Sequence, residues 1–327
     1  MLSFDSKHFC RMKLIPFLFL TLTVNISYSQ NKTPFIFRIQ DKQSIKHLRN
    51  YIKNDTLIQT TNAIIHVSYN QDSLKPYLLL LHGMGANGRS NWYNQIKPLS
   101  DKFNLIIPDL IYYGESTSDS KDYSVEFQVQ QINEAIEKIG INQKINIAGF
   151  SYGGLTSAMF NELYHHKISK MIIIDGPVKF FSSHSADSLA RVAGVESMKQ
   201  IIAPSNLKEF DAMQVAVMSS PFPIGMGMKK KMIKHFFKPH KTIRDAQIDD
   251  MITHQTRYQN LNYNLDNTPT LLIWGEKDGV VPASVGTNLH KVFSKTTQLI
   301  IYPNAKHDAH FSYTKEVNQA ITDFLKN

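Results

Sequence analysis

One cysteine, Cys10, is all the thiol chemistry this chain has. That excludes an intramolecular disulfide, a C-x-x-C redox pair and a thiolate zinc cluster. No H-E-x-x-H spacing and no phosphate-binding glycine-rich loop with a lysine occurs, so neither a metal nor an organic cofactor is implied. No apolar run reaches the length of about 20 residues that a membrane-spanning helix needs. Repeats and low-complexity tracts are absent. Charge of one sign is not concentrated either. The 36 Lys and Arg against 27 Asp and Glu leave a net +9 spread along 327 residues, which does not establish nucleic-acid binding. What is present is 42% apolar residues with 15 Gly and 13 Pro. Such a composition can bury a substantial core, which excludes disorder, collagen and coiled coil for the whole. The length fits one large α/β domain with an insertion, or two ordinary domains.

Residues 1–29 read as a secretory signal peptide. Arg11 and Lys13 precede the apolar run 14–26, and Ser27-Tyr28-Ser29 before Gln30 has the small-x-small form of a cleavage site. Met12 is an alternative start. Cys10 precedes the apolar run, where it is no lipoprotein cysteine. Export to a periplasmic or extracellular location is the expectation, with a mature N-terminus near Gln30.

Beyond this segment, strand-like and helix-like stretches alternate. The run 77–81 is continuously apolar, as expected of a strand buried on both faces, and 105–108, 145–149, 171–175, 271–275 and 299–302 share its character. Segment 63–69 adds an early strand. Val125, Val129, Ile132, Ile136 and Ile139 mark one face of a helix, and 311–324 reads as a closing helix. This alternation predicts a mostly parallel central sheet flanked by helices. Between 176 and 269 the rhythm breaks. A structureless loop of that length does not suit a compact domain, and 186–202, 207–218, 228–237 and 243–258 have helical content. The expected organisation is a core of 30–176 and 268–327 with a helical cap, 177–267, inserted into it.

The chemistry gathers at strand ends. Gly149-Phe150-Ser151-Tyr152-Gly153 follows an apolar strand and precedes a helical stretch, which is the setting of the G-x-S-x-G nucleophile elbow. An ordinary glycine-rich turn with an incidental serine is the blander reading. A serine needs a base, and the base an orienting acid. His307 lies on the loop after the last strand, and Asp278 on the loop after the strand before it, in the chain order that the elbow class requires. His310 competes as base but reads as a surface or capping residue. Asp175, at the end of an earlier strand, competes as acid, and Glu276 suits hydrogen bonding of its turn. In Leu81-His82-Gly83-Met84-Gly85, the backbone N–H of Met84 pairs with that of Tyr152 as an oxyanion hole. A flexible turn is the alternative there, and His82 reads as structural.

Taken together, the sequence resembles the α/β-hydrolase superfamily in its capped branch of monoacylglycerol-lipase-like and carboxylesterase-like serine hydrolases. The motifs carrying the resemblance are Leu81-His82-Gly83-Met84-Gly85, Pro108-Asp109-Leu110 through Gly114-Glu115-Ser116, Gly149 to Gly154, Trp274-Gly275-Glu276-Lys277-Asp278 through Pro282, and Asn304-Ala305-Lys306-His307. They span about 77–325. Two departures stand out: Lys306 precedes His307 where the family often has glycine, and Ile111-Tyr112-Tyr113 replaces a Pro-Gly-aromatic turn. Asp109 and Ser116 resemble the family's structural turn residues. Ser151 argues against the capped dehalogenases and epoxide hydrolases, which carry aspartate at the elbow.

The expected activity is hydrolysis of a small-molecule ester with an apolar acyl group, lipid-like or monoacylglycerol-like. A thioesterase, an aminopeptidase, a C–C hydrolase or a non-catalytic receptor on the same fold are the alternatives. The cap is rich in methionine (Met198, Met213, Met218, Met226, Met228, Met232 and Met251), which suits an adaptable apolar pocket or ordinary packing. Segment 228–237 sets Met228, Met232, Ile233, Phe236 and Phe237 opposite Lys230, Lys231, Lys234 and Lys238. That pattern fits either peripheral contact with an anionic membrane or a solvated lysine face.

Overall fold

The computed structural model describes residues 35–85, 87–221 and 223–326. Residues 1–29, expected to act as a signal peptide, lie outside them. Among the described residues, no helix is long and apolar enough to cross a membrane.

Eight strands form one sheet: β1 (Asn54–Gln59), β2 (Ile64–Tyr69), β3 (Tyr77–Leu81), β4 (Asn104–Pro108), β5 (Ile145–Phe150), β6 (Ile168–Ile174), β7 (Thr270–Gly275) and β8 (Thr297–Tyr302), in the order β1-β2-β4-β3-β5-β6-β7-β8. β1 and β2 run antiparallel to their neighbours, and the other pairings are parallel. The apolar run of β3 has its reason here. Leu79 and Leu81 enter the core on one face of the sheet, while Leu78 and Leu80 enter the core on the other. Side chains alternate across a strand, so only an unbroken apolar run serves two covered faces. The helices Val125–Lys138 and Tyr152–Tyr164 cover the first face, and Tyr93–Ser100 and Thr314–Lys326 the second.

Helical segments fill the interval between β6 and β7, but shorter and more broken than the sequence suggests. The expected helix 186–202 is two, Ser183–Val192 and Met198–Ile202, parted at Gly194 with φ +93°. The 243–258 stretch divides at His254 into Lys241–Thr253 and Gln255–Asn260, and the closing helix into Ala309–Ser312 and Thr314–Lys326. Segment 228–237 is a helix, Met226–Met232, that widens into a π-helical turn, Ile233–Phe237. Its Met232, Ile233, Phe236 and Phe237 are buried with Phe210, while Lys230, Lys231, Lys234 and Lys238 face solvent. The apolar side of this helix is thus spent on internal packing.

These helices are fastened to the sheet edge at named points. Ser219 donates its N–H to Asp308 Oδ2 at 3.0 Å, and its hydroxyl bonds the same carboxylate. The Lys306 N–H donates to Ser219 Oγ at 2.9 Å, and Lys306 Nζ to the Val215 carbonyl at 2.6 Å. The Gly279 N–H donates to the Ala216 carbonyl at 3.2 Å. On the other side, the Tyr113 hydroxyl donates to Gln247 Oε1 at 2.6 Å. Both departures from the family pattern, Lys306 and Tyr113, are therefore grips on the inserted helices.

Candidate active site

β5 ends in a turn that places Ser151 at φ 53°, ψ −122°, immediately before the helix Tyr152–Tyr164. A non-glycine residue held there costs of order 1–3 kcal/mol, so its surroundings must impose it. They do so by close approach. A Cβ on Gly149 would lie 2.0 Å from the Gly153 carbonyl oxygen, and one on Gly153 would lie 2.2 Å from that of Leu81. Only glycine at both positions lets strand, turn and helix meet. Tyr152 opens the helix, so its N–H has no intrahelical acceptor.

Ser151, His307 and Asp278 converge. The Ser151 hydroxyl donates to His307 Nε2 at 2.8 Å, and His307 Nδ1–H donates to Asp278 Oδ2 at 2.7 Å. Asp278 Oδ1 accepts the N–H groups of Val280 and Val281 at 2.8 and 2.9 Å. The acid is buried, its ring partner nearly so, and the serine is half-buried. A serine so connected can pass its proton to the imidazole as it attacks, and the carboxylate then faces the imidazolium.

Asp175 sits beside them. It is fully buried, at φ 50°, and its Oδ1 accepts the Gly275 N–H at 2.9 Å, while Oδ2 has no partner. A carboxyl oxygen of Asp175, one of Asp278 and a ring nitrogen of His307 all lie within 4.8 Å of one another. Burial, and then the charge of Asp278, push the Asp175 carboxyl well above the usual carboxylate range. Both effects favour the neutral form of the acid. A cation among these three side chains would lack a nitrogen ligand, because His307 commits both ring nitrogens.

His82 is fully buried, donates from Nδ1 to the Gly83 carbonyl at 2.8 Å and accepts the Leu110 N–H on Nε2 at 2.9 Å. Glu276 accepts the Asn304 N–H at 3.3 Å, a bond to the loop after β8 rather than within its own turn. Asp109 holds the N–H groups of Gly88 and Glu115 and pairs with His66, which also contacts Asp55. His310 is corrected. It is no surface residue but completely buried, 4.1 Å from the Phe150 ring, and burial drives its pKa down to about 3. Sequence reasoning missed the His66 pairing, the Asp308 clip and the closeness of Asp175 to Asp278. Each depends on contacts between distant strands and loops.

Over Ser151 lies a cavity lined mostly by apolar side chains. Met84, Tyr152 and His307 form part of its floor, and Met198, Met213, Met218 and Met251 line it from the inserted helices. Met226, Met228 and Met232 do not line it. Ile248 and Phe237 complete one wall.

The chain belongs to the alpha/beta hydrolase fold family, whose model matches residues 76–313. It is 29% identical over 237 residues to Lipase 1 of Psychrobacter immobilis, covering 70% of each chain. It is 24% identical over 258 residues to Monoacylglycerol lipase ABHD6 of Homo sapiens, covering 77% of this chain and 75% of that one. The fold is shared with Lip1 of Acinetobacter baumannii AYE at a TM-score of 0.75 and 23% identity, covering 92% and 97% of the two chains. It is shared also with 2-hydroxy-6-oxo-6-phenylhexa-2,4-dienoate hydrolase of Rhodococcus sp. strain RHA1 at 0.69 and 20%, covering 84% and 100%.

Proposed function

We propose that this protein is a serine hydrolase of the lipase and esterase type, cleaving a small-molecule carboxylic ester. Its acyl group is apolar and lies under the inserted helices. The observation that carries the reading is His307 bridging Ser151 and Asp278 at 2.8 and 2.7 Å on the floor of an apolar cavity. The lipases among its relatives support the same class.

In this reading Ser151 Oγ attacks the acyl carbon while neutral His307 takes its proton at Nε2. Asp278 holds the tautomer and stabilises the imidazolium. The N–H groups of Met84 and Tyr152 receive the oxyanion, each worth ~10²–10³ in rate. His307 then protonates the departing alcohol. Water, deprotonated by the same imidazole, releases the acid and restores Ser151. Residues 177–267 act as the cap that shapes the acyl site over a core of 30–176 and 268–327. Residues 1–29 direct export and are removed near Gln30. Mass spectrometry of the N-terminus from the native host tests this last point, and an intact leader on the mature protein overturns it. With Met232, Ile233, Phe236 and Phe237 packed inward, membrane contact would fall to the exposed lysines and Met226.

The test is turnover of glyceryl and p-nitrophenyl esters of graded chain length, with Ser151→Ala as blank and fluorophosphonate labelling of Ser151 alongside. Turnover abolished in Ser151→Ala supports the reading. Labelling without ester turnover points to thioester, amide or C–C substrates. Neither labelling nor turnover would mean a receptor.

A further inference from the structure

Arg244, in the helix Lys241–Thr253, is 1% exposed. Its guanidinium makes one hydrogen bond, from Nη2 to the Phe236 carbonyl at 2.9 Å; Nε and Nη1 have no acceptor among the described residues. The acid whose charge reaches it, Asp245, is held in an ion pair by Lys241. A buried cation with no ion-pair partner of its own is among the costlier things a fold can contain. Two more buried donors lack acceptors. Gln247, one turn on along the same helix and also buried, has an unpartnered Nε2, and the buried Tyr152 hydroxyl is unpartnered too.

Arg244 and Gln247 do not themselves line the ligand cavity but adjoin residues of its wall. Arg244, Gln247, Ile248 and Met251 are the buried residues of their helix, and the last two line the cavity. The guanidinium stacks 5.4 Å from the ring of Phe237, which also lines it. Phe236 and Phe237 sit in the π-helical turn, a departure from regular helix that frequently marks functional sites.

We infer that Arg244, with Gln247 and Tyr152, forms an anion subsite reached from the cavity past Phe237, Ile248 and Met251, and that the ester hydrolysed at Ser151 carries a carboxylate at its far end. One positive charge calls for one negative charge. A carboxylate supplies that, whereas a phosphate monoester brings nearly two. The methionine-lined cavity takes the intervening methylenes. The inference rests on the ester-hydrolase reading and narrows its substrate to an amphipathic acid ester.

The experiment compares umbelliferyl half-esters of α,ω-dicarboxylic acids with umbelliferyl alkanoates of equal length, and alkanoate esters of ω-hydroxy acids with those of the matching alcohols. The two arms place the carboxylate on the acyl or the alcohol side. At one or more lengths the wild type is expected to favour the charged ester at least about tenfold in kcat/KM, the scale of one well-made polar contact. Arg244→Met should erase that preference while leaving umbelliferyl acetate turnover within about threefold, well under one such contact. A wild type that prefers the neutral ester at every length in both arms overturns the inference, as does a preference that survives Arg244→Met. Should Arg244→Met also lose acetate turnover, Gln247→Leu decides: a reduced preference for the charged ester supports the subsite, and an unchanged one refutes it. Loss of the parent reading looks different, since then no ester of either kind is turned over and Ser151 is not labelled.

Discussion

At the sheet edge, both oxygens of Asp278 and both nitrogens of His307 have partners, and two glycines force Ser151 into place. Among the helices between β6 and β7, a buried guanidinium has a single hydrogen bond, with two of its nitrogens unpartnered, and a buried amide nitrogen has none. The first region is complete without a ligand and the second is not. Groups that must react are best fixed beforehand by their own scaffold. Groups that select a substrate can wait for it, at a cost in stability that the ligand later offsets. Flexible thioethers in the cavity wall belong to the same division of labour.

The sharpest way to break the first region is at its centre. Ser151→Ala and His307→Ala should each cost ~10⁴–10⁶ in kcat on a short ester, and the double variant little more, because the two act as a unit. A strictly multiplicative double loss would separate them. Next comes the contrast between two carboxyls. Asp278→Asn should lower kcat ~10⁴-fold by disturbing the imidazole tautomer. Asp175→Asn, which replaces a neutral acid by a neutral amide that can still accept from Gly275 and donate, should stay within about threefold of the wild type. An inactive Asp175→Asn with an active Asp278→Asn would exchange their roles.

The second region should yield smaller effects of a different kind. Met213→Phe should shift the optimum to shorter acyl chains by about tenfold in relative kcat/KM, with acetate turnover little affected. Equal losses on every ester would indicate damage to the fold. The smallest effect concerns neither region but the turn beneath both. Burial disfavours the His66 charge, yet its hydrogen bonds to Asp109 and Asp55 raise its pKa to about 10. Because the folded value lies above the ordinary 6.5, this stabilisation is whole below about pH 6.5 and fades as pH rises towards 10. The Tm should therefore decline through that range, and His66→Gln should flatten the decline.

Legibility follows the same division. Ser151, His307 and Asp278 could be read because each is announced by a short local pattern: an apolar strand, a turn and a helix start. β3 to β8 could be read for the same reason. β1 could not: Asn54–Gln59 is a half-exposed edge strand with only Leu57 and Ile58 to mark it. The break at Gly194 was signalled by the glycine itself, but the π-helical turn had no comparable mark. Asp175 could be seen at a strand end, yet its nearness to Asp278 depends on β6 lying beside β7. Arg244 gave no sign at all. Being buried and unpartnered is a property of the assembled molecule, and the sequence shows only an arginine in a helix.

The fastening of Val215–Ser219 to Gly279, Lys306 and Asp308 bears on how such proteins are recombined. A swap that exchanges only the residues between β6 and β7 would bring in a foreign tail at position 219 and leave Asp308 and Lys306 facing strangers, next to His307. The interchangeable unit is therefore discontinuous in the chain: the helices, the 279 turn and the 306–308 loop travel together. Chimeras that carry all three should keep the imidazole seated on Ser151. Those that carry the helices alone should lose turnover even on acetate, however well their new pocket fits a longer ester.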